Sequence, residues 1–463
     1  MRFTVGTTKI SVVHLFGMVG LILLVLATIG RSHSSSRSNK PLPPAQLTLS
    51  CRLVLASVNG DGPIDKEISQ QQKLIINGSQ AVQNFERLGW AFIRKARSMF
   101  DPGYYKLAEQ CALCMNSIKS ETPEALLLRA HVAQSLHRFS EAETLASQLT
   151  RVRERPFDYG VLGDALIDQG KIRDAATAYQ KMVDLRPDLQ SYVRAAHVRW
   201  LTGDLKGAVD LMQLATSSSS PNDPNSGAWA YNRLALYRLQ VGSIREAVRS
   251  CDAALGLQSD YAPAVLTRAR ILWTLNRADE ALAQFKQAAE LSPLPEYQWA
   301  LADALRATDS VSANEVESHI KQSTEDPRTV SLYLSTRGED VDRAVQLAEQ
   351  ELKNRQDVFT HDALAWALAA SGRTTEARNE VDKALAEGTK DARLYLHAAV
   401  IAAQNGQNSQ ARRWIEQAYA TQQMLFPSER TLLQTWRKRI LTSKAVRGSN
   451  SRSQQSTFTR SEF

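Results

Sequence analysis

Cysteine is scarce in this chain: there are four in 463 residues, Cys51, Cys111, Cys114 and Cys251. That count excludes a small scaffold held together mainly by disulfides. Only Cys111-Ala-Leu-Cys114 has a spacing that invites chemistry. A C-x-x-C pair needs two further ligands to hold zinc, and as a redox motif it is expected beside a βαβ pattern. Neither context is present, so the pair reads as buried structural cysteine, with a small metal or redox site at Cys111/Cys114 as the alternative. His131 and His137 are the nearest histidines and read as helix-surface or core residues. The eight histidines, scattered from His14 to His397, form no recognisable constellation. A phosphate loop, a nucleophile elbow and a His-x-x-x-His pair are also missing. The expectation is a protein without catalytic residues, bound metal or cofactor.

Basic charge is plentiful in total but sparse where it would matter for nucleic acid. The net charge is +8, yet residues 1–52 hold six Lys/Arg and no acid, and residues 436–463 hold seven Lys/Arg against one acid. The stretch between them is left with a net charge of −4. A mildly acidic body with no basic stripe does not neutralise a phosphate backbone, so nucleic acid is not expected as a partner. The basic ends suit a membrane-adjacent linker and a solvated tail.

One long apolar run is present. Ile10–Ile29 carries no charged side chain over twenty residues, enough at about 1.5 Å per residue to cross a hydrocarbon core roughly 30 Å thick. The competing reading is a cleaved signal peptide, with Arg2 and Lys9 as its basic region and Val25 and Ala27 before a cleavage site. The run exceeds the 7–15 residues usual for a signal peptide and lacks a strong Ala-x-Ala, which favours an uncleaved anchor. The remainder is then expected on the far side of the membrane from the cytoplasm. Arg31, Arg37 and Lys40 follow the span and keep the opposite orientation, a cytoplasm-facing adaptor, as the alternative.

The dominant pattern is a repeat. Nine alanines, Ala108, Ala142, Ala175, Ala208, Ala247, Ala281, Ala344, Ala377 and Ala411, mark one point of a unit about 34 residues long. Twelve residues before the alanine stands a small residue, as at Ala130, Gly163, Ala196, Ala235, Ala269, Ala365 and Ala399, and four residues earlier an aromatic, as at Phe85, Tyr159, Tyr192, Tyr231 and Tyr395. Five residues before the alanine, Gly170, Gly203, Gly242, Gly372 and Gly406 permit the positive φ that turns one helix into the next. One helical hairpin per unit, stacked on its neighbours, is the solution that buries a continuous core at this period.

In the unit Tyr159-Gly-Val-Leu162-Gly163, Gly170, Ala175, Tyr179, Pro187, the aromatic, Leu-Gly, glycine, alanine, aromatic and proline positions follow one another in order. This sequence resembles the tetratricopeptide repeat (TPR), and the resemblance recurs over residues 80–427, departing from the pattern at Phe100–Tyr104, Thr216–Gly227 and Tyr297–Gln322. The stretches Pro187–Tyr192 and Asp357–Asp362 also resemble a bacterial group of membrane-anchored or exported TPR proteins. The resemblance implies an all-α, right-handed superhelical solenoid of about nine to ten units, with a protein or peptide partner on its concave face. In that geometry the positions one and four residues after the small residue face the partner. Here they hold Trp90, His131, Asp164, His197, Trp200, Arg270, Trp273 and Trp366. Tryptophan and arginine supply much of the energy at protein interfaces, although tryptophan at helical spacing also serves as packing. A Lys/Asn set like that of chaperone-binding TPR domains is not evident.

The flanks complete the expectation. A lead-in helix is placed over residues 64–79. Ser428–Ser443, with Leu432, Leu433, Trp436 and Ile440 at helical spacing, reads as a capping helix, and residues 444–463 as a disordered tail. Within the linker 30–63, Leu47, Leu49, Cys51, Leu53 and Leu55 alternate with Thr48, Ser50, Arg52 and Val54. Period two predicts a strand over residues 47–58.

Overall fold

The computed structural model describes residues 47–442 except 59, 79–81, 307–308 and 325. The apolar run Ile10–Ile29, most of the linker after it and the tail lie outside the described residues. Among those described, the secondary structure is helical throughout, with twenty-three α-helices and no strand. No helix among them is long and apolar enough to cross a membrane.

The repeat chemistry becomes hairpins for local reasons. Proline stands at the first turn of Pro156–Asp168, Pro224–Gln240, Pro295–Leu305 and Pro327–Arg337, where its missing N–H costs nothing. Asp188, Asp223 and Asp357 cap the following helices by accepting from backbone N–H groups three residues on. All nine alanines of the period are fully buried, and Ala313 occupies the same role in the irregular unit. A larger residue would not fit at the helix crossings: a Cβ added to Gly163 would lie 2.2 Å from the Tyr179 ring. Gly170, Gly203, Gly242, Gly372 and Gly406 take φ between 71° and 84° at the hairpin tips. His137 and Asn276, five residues before Ala142 and Ala281, occupy that position at φ 58° without being glycine.

The chain divides into two compact units, one up to Val132 and one from Ala133 onward. In the N-terminal unit, Val82–Met99 and Gly103–Ile118 form the first hairpin, preceded by Pro63–Ile76 and the short helix Leu49–Val54. The strand expected over residues 47–58 is therefore corrected to a helix. Thr48 caps it, Cys51 and Val54 are buried three residues apart, and Leu49 is 64% exposed. The buried spacing follows a helical turn, and the alternation of leucines is incidental. Cys51 is disulfide-bonded to Cys114, and Gln72 donates to the carbonyls of Val54 and Ala56, both at 2.8 Å. A buried ion pair, Lys95 Nζ to Asp65 Oδ1 at 2.9 Å, ties the lead-in helix to the first hairpin.

In the C-terminal unit the stacked hairpins turn back on themselves. Gln356 N–H donates to the Asp168 carbonyl at 2.9 Å, Thr389 Oγ1 to the Leu201 carbonyl at 2.6 Å, and Gln423 Nε2 to the Leu239 carbonyl at 3.0 Å. The last two contacts span 188 and 184 residues. The tips of three successive hairpins thus each meet a later connection, two of them loops between hairpins and the third the turn Gln422–Met424 that leads into the last helix. A Cβ on Gly170 would lie 2.4 Å from the Gln356 carbonyl oxygen, and one on Gly203 2.4 Å from that of Gly388. The helix Pro427–Thr442 ends the array, burying Leu433, Trp436 and Ile440, and Ser428 donates to Asp303 Oδ2 from its N–H at 2.9 Å and from its hydroxyl at 2.5 Å.

Candidate functional site

Of the eight residues expected on one concave face, Trp90 and His131 lie in the N-terminal unit and Asp164, His197, Trp200, Arg270, Trp273 and Trp366 in the C-terminal unit. In the N-terminal unit, Trp90 meets the His131 ring edge-on with centroids 5.0 Å apart, and Arg97 Nη2 lies 2.8 Å from His131 Nε2. Guanidinium can only donate, so that imidazole nitrogen accepts. In the C-terminal unit, Asp164 accepts from Arg194 Nε and Nη2 at 2.8 and 2.7 Å and from the Tyr179 hydroxyl at 2.8 Å. It is consumed by structure. Trp366 is fully buried, donates to Thr336 Oγ1 at 3.0 Å and stacks on His397 with centroids 4.2 Å apart. Trp273 is half-buried and lines a separate pocket with Arg430 and Gln423. His197 packs 5.5 Å from the Trp200 ring, and burial, followed by the Arg233 charge, lowers its pKa to about 4.

Trp200 and Arg270 do share a site. The back-folding leaves a cavity of about 390 Å³ inside the C-terminal unit. Its near wall is a stripe on the helix Pro224–Gln240, formed by Trp229, Asn232, Arg233, Leu236 and Gln240 at spacings of three and four. Tyr261, Arg270, Tyr297 and Trp299 continue that wall. The facing wall carries Arg328, Phe359, Asp391, Arg393, Met424 and Phe426. Trp200 sits at the edge, donating to Gln240 Oε1 at 2.9 Å and stacking on Phe359 with centroids 5.3 Å apart.

The electrostatics of this cavity are nearly balanced. Arg270 pairs with Glu296 at 2.8 Å, Arg328 with Asp357 at 3.3 Å, and Arg393 with Glu429. The Arg270 guanidinium lies 4.6 Å from the centre of the Phe426 ring, and that of Arg393 5.1 Å from the centre of Trp299. Asp391 accepts from the N–H groups of Arg393 and Leu394, and Asp362 from His397. Burial pushes the Tyr237 and Tyr261 hydroxyls up to about 12, so both remain neutral donors.

The paired cysteines proposed from sequence do not act together. Cys114 is bonded to Cys51, whereas Cys111 is free and buried, its thiol pKa raised by burial. Among the described residues no group of three or more His, Cys, Asp or Glu side chains is arranged to hold a metal ion.

The model of the tetratricopeptide repeat matches residues 161–225, 232–294, 266–317 and 363–423. Over these residues the chain carries tetratricopeptide repeats. It is 26% identical over 225 residues to the HTH-type transcriptional regulator MalT of Yersinia enterocolitica, covering 43% of this chain and 25% of that protein. A Yersinia pestis MalT matches at 25% identity over 232 residues, 44% of this chain and 26% of the regulator. The chain therefore spans about a quarter of the length of these relatives. Among solved structures, the APC/C hetero-tetramer Cut9–Hcn1 aligns over 85% of this chain and 97% of its own, at 14% identity and TM-score 0.34. A thermophilic TPR protein of Thermus thermophilus aligns over 42% of this chain and 99% of its own, at 20% identity and TM-score 0.35.

Proposed function

We propose that this chain is a non-catalytic scaffold that binds protein partners and is held at a bacterial cell membrane by Ile10–Ile29, with its repeats outside the cytoplasm. TPR proteins are in general interaction scaffolds, and the repeats match that class. The observation that carries the location is the Cys51–Cys114 disulfide, because such bonds persist in oxidising compartments and are rare in the cytosol. The apolar run at Ile10–Ile29 supports the same reading. The MalT relatives match over only about a quarter of their own length, and the acidic balance of residues 53–435 gives no support to a DNA-directed role.

The test combines topology with capture. Native membranes are extracted with alkaline carbonate, denatured without reductant and treated with a maleimide–polyethylene glycol reagent. The expected result is a membrane-retained chain in which Cys111 and Cys251 are labelled and Cys51 and Cys114 are not. Full extraction together with labelling of all four would sink the extracytoplasmic reading. Labelling of all four in a chain that stays in the membrane would favour the cytoplasm-facing adaptor, which Arg31, Arg37 and Lys40 after the span would support. Crosslinking of the same membranes, with a Trp90→Ala chain alongside, then asks for partners. A protein captured reproducibly in stoichiometric amounts supports the scaffold, and its loss from the variant would place the contact on the N-terminal unit.

A further inference from the structure

A separate cleft of about 580 Å³ opens where the hairpin tip at Asn276 meets the turn Gln422–Met424 and the start of the helix Pro427–Thr442. Its wall is made chiefly of amides and hydroxyls: Thr274, Asn276, Gln422, Gln423, Thr431 and Gln434. Trp273 supplies one flat ring and Arg430 one charge, and no acidic side chain among the described residues lines the space.

The polar groups of this cleft are accessible as well as unpaired. Asn276 and Gln434 are exposed, Trp273 and Gln422 are half-buried, and none of these four side chains makes a hydrogen bond within the described chain. Arg430 is held firmly but incompletely. Its Nε donates to the Leu425 carbonyl at 3.2 Å, and its Nη2 to Thr274 Oγ1 at 2.8 Å and to the Gln423 carbonyl at 3.1 Å. All three acceptors are neutral. They fix the guanidinium plane and leave Nη1, which is open to solvent and carries two N–H groups, without an acceptor.

Neighbouring charges do not balance Arg430. The adjacent Glu429 is engaged by Arg393 and by the Phe426 N–H, Glu296 by Arg270, and Glu280 by Arg277. Asp279, next to Ala278 on the rim, is exposed, so water screens it. Burial first and the Arg270 charge second lower the Arg430 pKa to about 10, with Glu429 acting in the opposite direction. The guanidinium therefore stays charged at neutral pH without a counter-ion of its own.

From these features we infer that the cleft binds a small acidic saccharide, a uronate. Each sugar hydroxyl both donates and accepts, as does each amide of Asn276, Gln422 and Gln434. The apolar face of a pyranose ring lies against Trp273, and the carboxylate meets Arg430 Nη1 in a charge-assisted contact. A peptide fits less well, because it draws its affinity from apolar anchors in pockets, and apart from Trp273 the apolar lining here is only Ala278 and Pro427. The volume falls within the roughly 300–1,000 Å³ usual for small-molecule sites. The inference stands apart from the membrane reading, since the cleft is the same on whichever side of a membrane the repeats lie.

The test is titration calorimetry of the full-length chain in a zwitterionic, sugar-free detergent, with the detergent alone as the blank. The probes are digalacturonate, diglucuronate and dimannuronate, each set against the neutral disaccharide of the same linkage, galactobiose, cellobiose or mannobiose, and an N-acetylated hexaglutamate peptide as a non-sugar acid. The expected result is saturable binding of one uronate per chain for at least one pair, at least about tenfold tighter than its neutral counterpart, as a charge-assisted contact implies. Gln434→Glu, which puts a carboxylate into the cleft from an exposed position, should remove that preference and spare the neutral sugar. Trp273→Ala should weaken both, and Trp229→Ala, in the other cavity, neither. Arg430→Gln should also remove the preference; should it fail to fold by circular dichroism, Gln434→Glu still decides. Absence of saturable uronate binding, equal binding of acid and neutral sugar in every pair, hexaglutamate bound as tightly as the uronate, or uronate binding indifferent to Gln434→Glu and Trp273→Ala would overturn the proposal.

Discussion

The two units secure a stack of helical hairpins in different ways. The N-terminal unit has a covalent link, Cys51 to Cys114, closing a span of 63 residues, and a buried ion pair between Asp65 and Lys95. The C-terminal unit has ion pairs of its own but its described cysteine, Cys251, is free, and it adds contacts between hairpin tips and loops far along the chain, at Asp168 with Gln356, Leu201 with Thr389 and Leu239 with Gln423. An ordinary solenoid is stabilised by its units and their nearest-neighbour interfaces, without contacts between distant units. The long-range contacts make the C-terminal unit cooperative, whereas the other unit depends on its staple.

The largest expected effect breaks the N-terminal side of that contrast. Cys51→Ser with Cys114→Ser should destabilise the N-terminal unit by about 2–4 kcal/mol, seen in hydrogen exchange as faster exchange in residues 47–132 with residues 156–440 unchanged. Uniform loss of protection would mean that the disulfide does not act locally.

On the other side, Gly203→Ala should cost about 2–4 kcal/mol, because a Cβ would meet the Gly388 carbonyl oxygen at 2.4 Å while the backbone sits at φ +78°. Gly242→Ala is the control: its φ is +79° but nothing lies within 4 Å, so only the conformational penalty of about 1 kcal/mol remains. Equal costs in denaturant unfolding would show that the tip-to-loop contact contributes nothing.

A smaller effect is expected with acid. The His197 pKa is lowered to about 4 in the folded chain against an ordinary value near 6.5. The unfolded chain therefore takes up the proton first, and the stability associated with a neutral His197 is present above about pH 6.5 and lost as pH falls toward 4. His197→Gln should flatten that part of the pH profile of the C-terminal unit, and an unchanged profile would refute the assignment.

The least effect is expected at a hairpin tip. Asn276 holds φ 58° where five other units have glycine. Because asparagine tolerates this region, Asn276→Gly should change stability by less than about 1 kcal/mol. A larger loss would point to a side-chain role for Asn276.

The repeat was legible because its marks are local. A small residue at a helix crossing, a glycine at φ +71° or an alanine with no room around it depends on neighbours within a few dozen residues. The cavity was not legible in the same way. Positions chosen from the geometry of an open groove led to Trp366, which the fold buries completely, and to Asp164, which is engaged by Arg194 and Tyr179. The near wall did have a sequence signal in the stripe Trp229, Asn232, Arg233, Leu236, Gln240. The facing wall, with Phe359, Arg393 and Phe426, meets the near wall at Trp200, Trp299 and Arg270, far away in sequence, which no local pattern encodes. The period-two reading of Leu47–Leu55 failed for a related reason: the partner of the buried Cys51 in that segment is Cys114, in the first hairpin.

The tip-to-loop contacts also set a timetable for biosynthesis. At roughly 5–20 residues per second, the helix ending at Leu201 leaves the ribosome on the order of ten seconds or more before Thr389 exists to meet it. During that interval the aromatic wall at Trp229, Tyr261 and Trp299 has no cover, and the nascent chain presents the surface that chaperones hold and aggregates recruit. Most solenoids can fold as they emerge; this one must wait for its final quarter, so truncations within residues 389–442 are expected to fail in the cell out of proportion to the contacts they delete.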